Sequence, residues 1–252
     1  MRTVRLEELT SPEIRALLEQ GTRRVVFACG ATEQHGPHLP LAVDAMIGDS
    51  LAERVARRLG GTLVAPTVRI GCSRHHMAFP GSLTLDEATF KAIVRDYVAS
   101  LRHHGFEWIG IIPSHGGNFR PLAELASELG VAAYTDLAGM IAAWEEIVVA
   151  VGGPAGHVGG HADIAESSMV LALRPELVSQ DRAAAGYTGD PQAVLGTIFE
   201  SGFAAVTENG VLGDPAGMTR ELGEALLERM AERIALSFGG RPRGRSGGAR
   251  AR

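Results

Sequence analysis

Apolar and polar positions follow two rhythms along this chain of 252 residues. Residues 25–29 form a short β-rich apolar run. Residues 45–59 have helical periodicity, with Ile47, Leu51, Val55 and Leu59 at four-residue spacing. Gly60-Gly61 stops that helix, and residues 62–66 read as a second strand. Thr84-Leu85-Asp86-Glu87 reads as a capping box, in which a hydroxyl and a carboxylate satisfy first-turn amides. The helix it opens runs to about His104 and ends at Gly105. Residues 108–112 predict a third strand, 120–129 a helix, 131–134 a strand and 137–149 a helix. A Gly-rich loop spans 152–160, and a helix over 162–173 is closed by Arg174-Pro175. Residues 182–196 read as irregular, and a last amphipathic helix covers 219–238. Strand–helix alternation of this kind predicts an α/β fold with a mainly parallel sheet covered on both faces.

Length and composition narrow the class. Hydrophobic residues make up 45% and charged residues 21%, ordinary for a globular protein. We expect a single domain over residues 1–238 and a disordered tail over 239–252, which holds only Gly, Arg, Ser, Pro and Ala. The formal net charge is -5, and much of the basic excess sits in that tail. The body is therefore acidic, which argues against nucleic-acid or anionic-membrane partners. The two cysteines, Cys29 and Cys72, exclude a disulfide framework and suit a reducing compartment. The first residues lack the apolar core of a signal peptide, and no apolar run approaches a membrane span. The expectation is a soluble cytoplasmic protein.

Ligand sites in open α/β sheets lie beyond the carboxyl ends of strands. Two polar clusters fall there: Glu33-Gln34-His35 after the first strand, with Asp44 opening the next helix, and Ser114-His115-Gly116-Gly117-Asn118 after the third. Glu33 and His35 are two apart, so an extended segment points both to one side. Taken singly, Asp44 is a helix cap and the other two are solvated loop residues. Three such groups within twelve residues at a strand end favour a divalent ion such as zinc or manganese, which takes carboxylate oxygen and imidazole nitrogen. A third cluster, His161-Ala162-Asp163 with Glu166, opens a helix that is apolar nearly all round. A buried carboxylate there needs a partner; a metal supplies one, and an arginine is the competing partner. His161, at the helix entrance, is placed to act as a general acid or base.

These segments resemble the creatininase (creatinine amidohydrolase) family. The resemblance rests on Gly30-Ala31-Thr32-Glu33-Gln34-His35-Gly36-Pro37-His38-Leu39-Pro40, His76 with Phe79-Pro80-Gly81-Ser82-Leu83, His115-Gly116-Gly117-Asn118, Gly160-His161-Ala162 with Glu166-Ser167, and Gly210-Val211-Leu212-Gly213-Asp214-Pro215. It implies a three-layer α/β/α sandwich, a homo-oligomer that is often a hexamer, and two divalent ions, zinc or manganese with iron as a third candidate. It places Glu33, Asp44 and His115 on one ion, and His35 with the bridging Asp44 on the other. His76, Gly116, Gly117 and Asn118 would contact substrate, and His161 would be the catalytic acid–base. Creatinine-cleaving members carry a further metal-binding glutamate two residues after the strand-end histidine. That position here is Gly117, and Glu166 is the nearby motif carboxylate that could replace it. Creatinine-cleaving members also use tryptophans around creatinine, whereas this chain has only Trp108, inside a strand, and Trp144. The Gly117 pattern is closer to relatives that deformylate a formamidopyrimidine nucleotide or trim a peptide in mycofactocin maturation.

The resulting expectation is a metal-dependent amidohydrolase acting on a cyclic amide, formamide or small peptide. The rival class is a non-catalytic small-molecule-binding α/β protein that holds an anion at a helix N-terminus without metal. His75, His103 and His104 read as solvated, and Cys72 has no paired base that would make it a nucleophile.

Overall fold

The computed structural model describes residues 2–239. Its central sheet is built from the continuous apolar runs. β1 (Arg24–Cys29) lies between β2 (Thr62–Val64) and β3 (Trp108–Pro113), and β4 (Ala132–Ala133) pairs with the far side of β3. All these pairings are parallel, with Val25 opposite Ile109 and Cys29 opposite Pro113. Strands buried on both faces need no polar alternation, which is why β1 and β3 read as unbroken apolar segments.

Two cores form on the two faces, because successive side chains point to opposite sides. Val25, Phe27 and Cys29 pack with residues of α3 (Glu87–His103) and α4 (Phe119–Leu129), and Ile14, Leu17 and Leu18 of α1 (Ser11–Glu19) lean on the same cluster. Val26 and Ala28 pack with α2 (Val43–Leu59), α5 (Leu137–Ala150), α6 (Ile164–Leu173) and α8 (Arg220–Ser237). Phe27, Phe90, Ile111 and Leu122 are fully buried, each contributing roughly 1.5–3 kcal/mol of transfer free energy. The layers are thus helix, sheet, helix, as expected.

Three local expectations are corrected or extended. Thr84 does not cap α3: Asp86 is the N-cap residue, and the Thr84 hydroxyl accepts from the Ser73 N–H (2.9 Å) and donates to the Leu85 carbonyl (3.2 Å). A Glu13 carboxylate accepting from the Thr10 N–H (2.7 Å) makes the corresponding contact at α1. The segment read as irregular, 182–196, runs into α7 (Pro191–Ser201), capped by Asp190. The Gly-rich loop runs into β5 (Val158–His161), which pairs antiparallel with β6 (Leu212–Gly213). Residues 240–252, most of the expected tail, lie outside the described residues. Among the described residues no helix is long and apolar enough to cross a membrane.

Candidate metal centre

The loops after Cys29 and Pro113 leave adjacent strands at their carboxyl ends and meet the start of α6. Gly30 makes the first turn possible: a Cβ there would lie 2.8 Å from the Ala45 amide nitrogen and 2.9 Å from the Asp44 carbonyl carbon. Only glycine lets the first turn of α2 approach so closely, and that approach brings the Asp44 carboxylate over the sheet. Asp163 shapes the third segment. Its two oxygens accept from the Gly159, Gly160, Ala165 and Glu166 N–H groups, at 2.8–3.1 Å. It spends its charge on backbone and, among the described residues, forms no arginine pair. Ala162 between them sits at φ 53°, a left-handed conformation costing a non-glycine residue about 1 kcal/mol. Its N–H is held by the Glu166 carboxylate at 2.6 Å.

Glu33, His35, Asp44, His115, His161, His76 and Glu166 all converge and are all buried. The Nδ1 of His115 is 3.0 Å from Glu33 Oε1 and 3.3 Å from Asp44 Oδ2. The Nε2 of His35 is 3.3 Å from Asp44 Oδ1 and 3.6 Å from Glu166 Oε2. Asp44 therefore faces one group with each oxygen. Three sets of ligand atoms lie within 4.8 Å of one another: Glu33, His76 and His115; His35, Asp44 and Glu166; and Glu33, His35 and His161.

The residues fit a divalent ion by a test of their own hydrogen bonding. Both Glu33 oxygens, Asp44 Oδ2 and His35 Nε2 are buried and have no hydrogen-bond partner. Groups of this kind are costly to bury unpaired. Bonds of about 2.0–2.1 Å in a tetrahedral arrangement put neighbouring ligand atoms about 3.3 Å apart, which is the spacing found. The other ring nitrogens are already engaged. His35 Nδ1 donates to the Glu33 carbonyl (3.1 Å), and His115 Nε2 donates to the Cys72 carbonyl (3.1 Å). Each leaves its second nitrogen with a lone pair aimed into the cluster, the usual orientation of a metal-binding imidazole.

The electrostatics point the same way. Burial alone would pull His35 down, but the Asp44 and Glu166 carboxylates outweigh it and hold it up at about 10. Burial opposes His115 likewise, and Glu33 raises it well above the ordinary range. Burial pushes Glu166 up to about 8 against the pull of His35, and it also raises Glu33. Asp44 resists burial and stays low because His35 and His115 face it. Three buried carboxylates thus draw protons onto histidines where a cation would neutralise them. His161 is the exception: burial and then the neighbouring His35 push it well below its ordinary value, so it is neutral.

The expected substrate residues divide. Gly116 lines the cleft beside the cluster. Gly117 lies beneath it, where a Cβ would collide with the Cys72 carbonyl oxygen and stand 2.6 Å from His115 Nε2. Asn118 is buried and fully used on backbone: Nδ2 donates to the Cys29 and Gly30 carbonyls, both at 3.0 Å, and Oδ1 accepts from the Cys72 N–H at 3.0 Å. It braces the loops that carry the cluster. His75, read from the sequence as solvated, is buried and stacks on His115 with ring centres 5.5 Å apart. The cavity at the foot of the cleft is small, about 60 Å³. Its walls come from Met140, Ile141 and Trp144 of α5 and from Ile198, Phe199 and Phe203 on and after α7, a wall that the sequence reading missed.

A profile of the family described as creatinine amidohydrolase matches residues 7–237. The chain belongs to the creatininase family. A mycofactocin precursor peptide peptidase of Mycobacterium ulcerans (strain Agy99) is 30% identical over 218 residues, covering 82% of this chain and 81% of that protein. Creatinine amidohydrolase of Pseudomonas putida is 29% identical over 253 residues, covering 93% and 95%. A crystal structure of creatininase superposes with a TM-score of 0.75 at 27% identity, covering 95% of this chain and 98% of that one. A manganese form of creatininase superposes at 0.73 with 28% identity, covering 94% and 98%. Such relatives make the chain a hydrolase of carbon–nitrogen bonds acting on a small-molecule or peptide substrate.

Proposed function

We propose that the protein is a two-metal amidohydrolase for an uncharged amide with an apolar substituent, a class that includes a short peptide. The carrying observation is the set of buried oxygens and imidazole nitrogens without partners, spaced as ligands around a common ion. Glu33, Asp44 and His115 would hold one ion, and His35, Asp44 and Glu166 the other. Zinc or manganese suits this mixed oxygen and nitrogen set, and creatininase relatives include a manganese form. When bound, such ions supply Lewis acidity, polarising the amide carbonyl and lowering the pKa of a water. The protein's own side chains do the rest. His161, neutral and beside the cluster, takes up the proton released as water attacks and returns it to the leaving nitrogen. The apolar walls of α5 and α7 seat the substituent and limit water around the reacting centre.

The class of substrate follows from charge. Among the described residues no lysine or arginine lines the cleft, so a phosphorylated nucleotide would enter without a countercharge from these walls. Cytoplasmic location and a homo-oligomer, up to a hexamer, belong to the same reading and are checked by fractionation and light scattering.

The deciding experiment is elemental analysis of protein purified without chelator, together with turnover of a panel of creatinine, formamides and dipeptides. About two ions per chain, and activity lost on stripping and regained on reloading, are the expected results. A metal-free preparation that binds small molecules and hydrolyses none of them would return the protein to the non-catalytic binding class.

A further inference from the structure

Gln34 lies between two residues that reach the cluster, and it is itself 5% exposed. Its side chain has so far had no role. Its Oε1 is 2.9 Å from the Gly36 backbone N–H, which can only donate. That contact settles which end of the amide is oxygen. The other end, Nε2, has two hydrogens and three neighbours, each at 3.1 Å: the Gly210 carbonyl oxygen, His76 Nδ1 and His161 Nε2. His161 Nε2 is also 2.9 Å from the carbonyl oxygen of Gln34, which can only accept. His161 therefore carries a proton on Nε2 and has no lone pair there for the amide. The two amide hydrogens go to Gly210 and to His76 Nδ1. An accepting Nδ1 leaves the proton of a neutral His76 on Nε2, 3.1 Å from Glu33 Oε1. That proton faces the carboxylate without a hydrogen bond to it, so Nε2 has no lone pair to offer a cation.

We propose that Gln34 is a positioning residue that sets the tautomers of two histidines at once, keeping the His76 proton on Nε2 so that this nitrogen is not a metal ligand, and leaving Nδ1 as the basic nitrogen of His161. The metal ligation of Glu33 rests on the function proposed above; the tautomers follow from the hydrogen bonds alone. Distance by itself would allow His76 to ligate, since it lies with Glu33 and His115 in one ligand-sized group. The proton count decides against it. A ring nitrogen that carries its proton cannot ligate a cation, so the amide of Gln34 removes His76 Nε2 from the set of ligands.

The test is a long-range ¹H–¹⁵N correlation spectrum of the full-length, zinc-loaded protein with labelled histidine. Signals are assigned by their loss in His76→Asn and His161→Asn. Both histidines should show protonated Nε2 and bare Nδ1. A signal with protonated Nδ1 from either one, or a metal-coordinated nitrogen on His76, overturns the proposal. Gln34→Glu, which has no amide hydrogens, should move the His76 proton to Nδ1 and lower kcat by about 10–100-fold, with zinc content kept. An unchanged His76 signal in that variant overturns the proposal. Should that variant fail to fold, His76→Gln, which keeps a polar side chain and has no imidazole, should retain the wild-type zinc content. Loss of an ion there would make His76 a ligand and overturn the proposal. Protein that binds no zinc refutes the metal reading separately, and its tautomer pattern remains readable.

Discussion

Replacing Glu166 by glutamine tests the supply of ligands to the second ion. Glu166 Oε2 stands 3.6 Å from His35 Nε2 and accepts the Ala162 N–H at 2.6 Å. The amide of glutamine keeps the second contact, so the strained turn at Ala162 stays supported, while the charge on the first is lost. A full structural set of about four ligands binds zinc with roughly 10–16 kcal/mol, or about 3–4 kcal/mol for each ligand. Losing one should weaken that ion by about 10²–10³-fold, since about 1.4 kcal/mol is tenfold. His35 and Asp44 would then be its only side-chain ligands. The assay is zinc titration against a competing chelator, with elemental analysis after dialysis. One tight and one weak ion, with most activity lost, is the expected result. Two ions of wild-type affinity with only a lower Tm would show that Glu166 merely holds Ala162, and would refute the reasoning.

Gly117→Ala should weaken the ion held by His115 and lower Tm, at a cost of about 1–3 kcal/mol for the overpacked Cβ; a variant with unchanged zinc affinity and Tm would show that the Cys72 carbonyl yields freely. Phe199→Ala should raise KM for an amide with an apolar substituent while changing kcat little, because Phe199 lines the wall away from the ligands; equal loss on a substrate without that substituent would speak against a wall contact. Metal-stripped protein should lose Tm as pH rises from about 7 to 9. His35 and Glu166 are held up at about 10 and about 8, and His115 and Glu33 are raised as well. Groups with raised folded values favour folding at low pH and lose that contribution as pH climbs through them. Thermal melts should show this slope in stripped protein and little of it in loaded protein; equal slopes would count against the cluster as its source.

What the sequence disclosed follows from where its signals are continuous. β1 and β3 announce themselves as apolar runs because both faces are covered, and the clusters after them inherit their placement from the parallel sheet. α7 stayed hidden because only Ile198 is buried in it and Gly196 interrupts its pattern. The apolar wall vanished with it, although Leu195, Ile198 and Phe199 stand at helical spacing. Thr84 and Glu87 have capping-box spacing, but the helix starts two residues too late for Thr84 to be its cap. The motif singled out His76 and left His75 as solvated; the short turn over Arg74–His76, wedged beneath His115 and Phe203, buries both. Gln34 carries no chemical signature at all, since its role depends on three partners from distant parts of the chain.

Gly117 and Glu166 are two consequences of one packing arrangement. The Cys72 carbonyl closes over position 117 and at the same time takes the Nε2 proton of His115, which turns Nδ1 toward Glu33 and Asp44. Space for a side chain at 117 would have to come from that carbonyl, and moving it would release the fixed direction of His115. A carboxylate for the second ion must then arrive from another element. α6 can deliver one because Asp163 gathers four backbone N–H groups and Ala162 accepts a left-handed turn. The same turn carries His161 to the edge of the cluster, so on the proposed assignment one segment would supply both the replacement ligand and the base. A glutamate introduced at 117 should therefore not substitute for Glu166: the double variant Gly117→Glu with Glu166→Gln is expected to bind less zinc than Glu166→Gln alone, because it disturbs His115 without reaching the vacancy. Recovery of the second ion in that double variant would show that the two positions are interchangeable and that the closed packing at Cys72 is not what excludes a side chain.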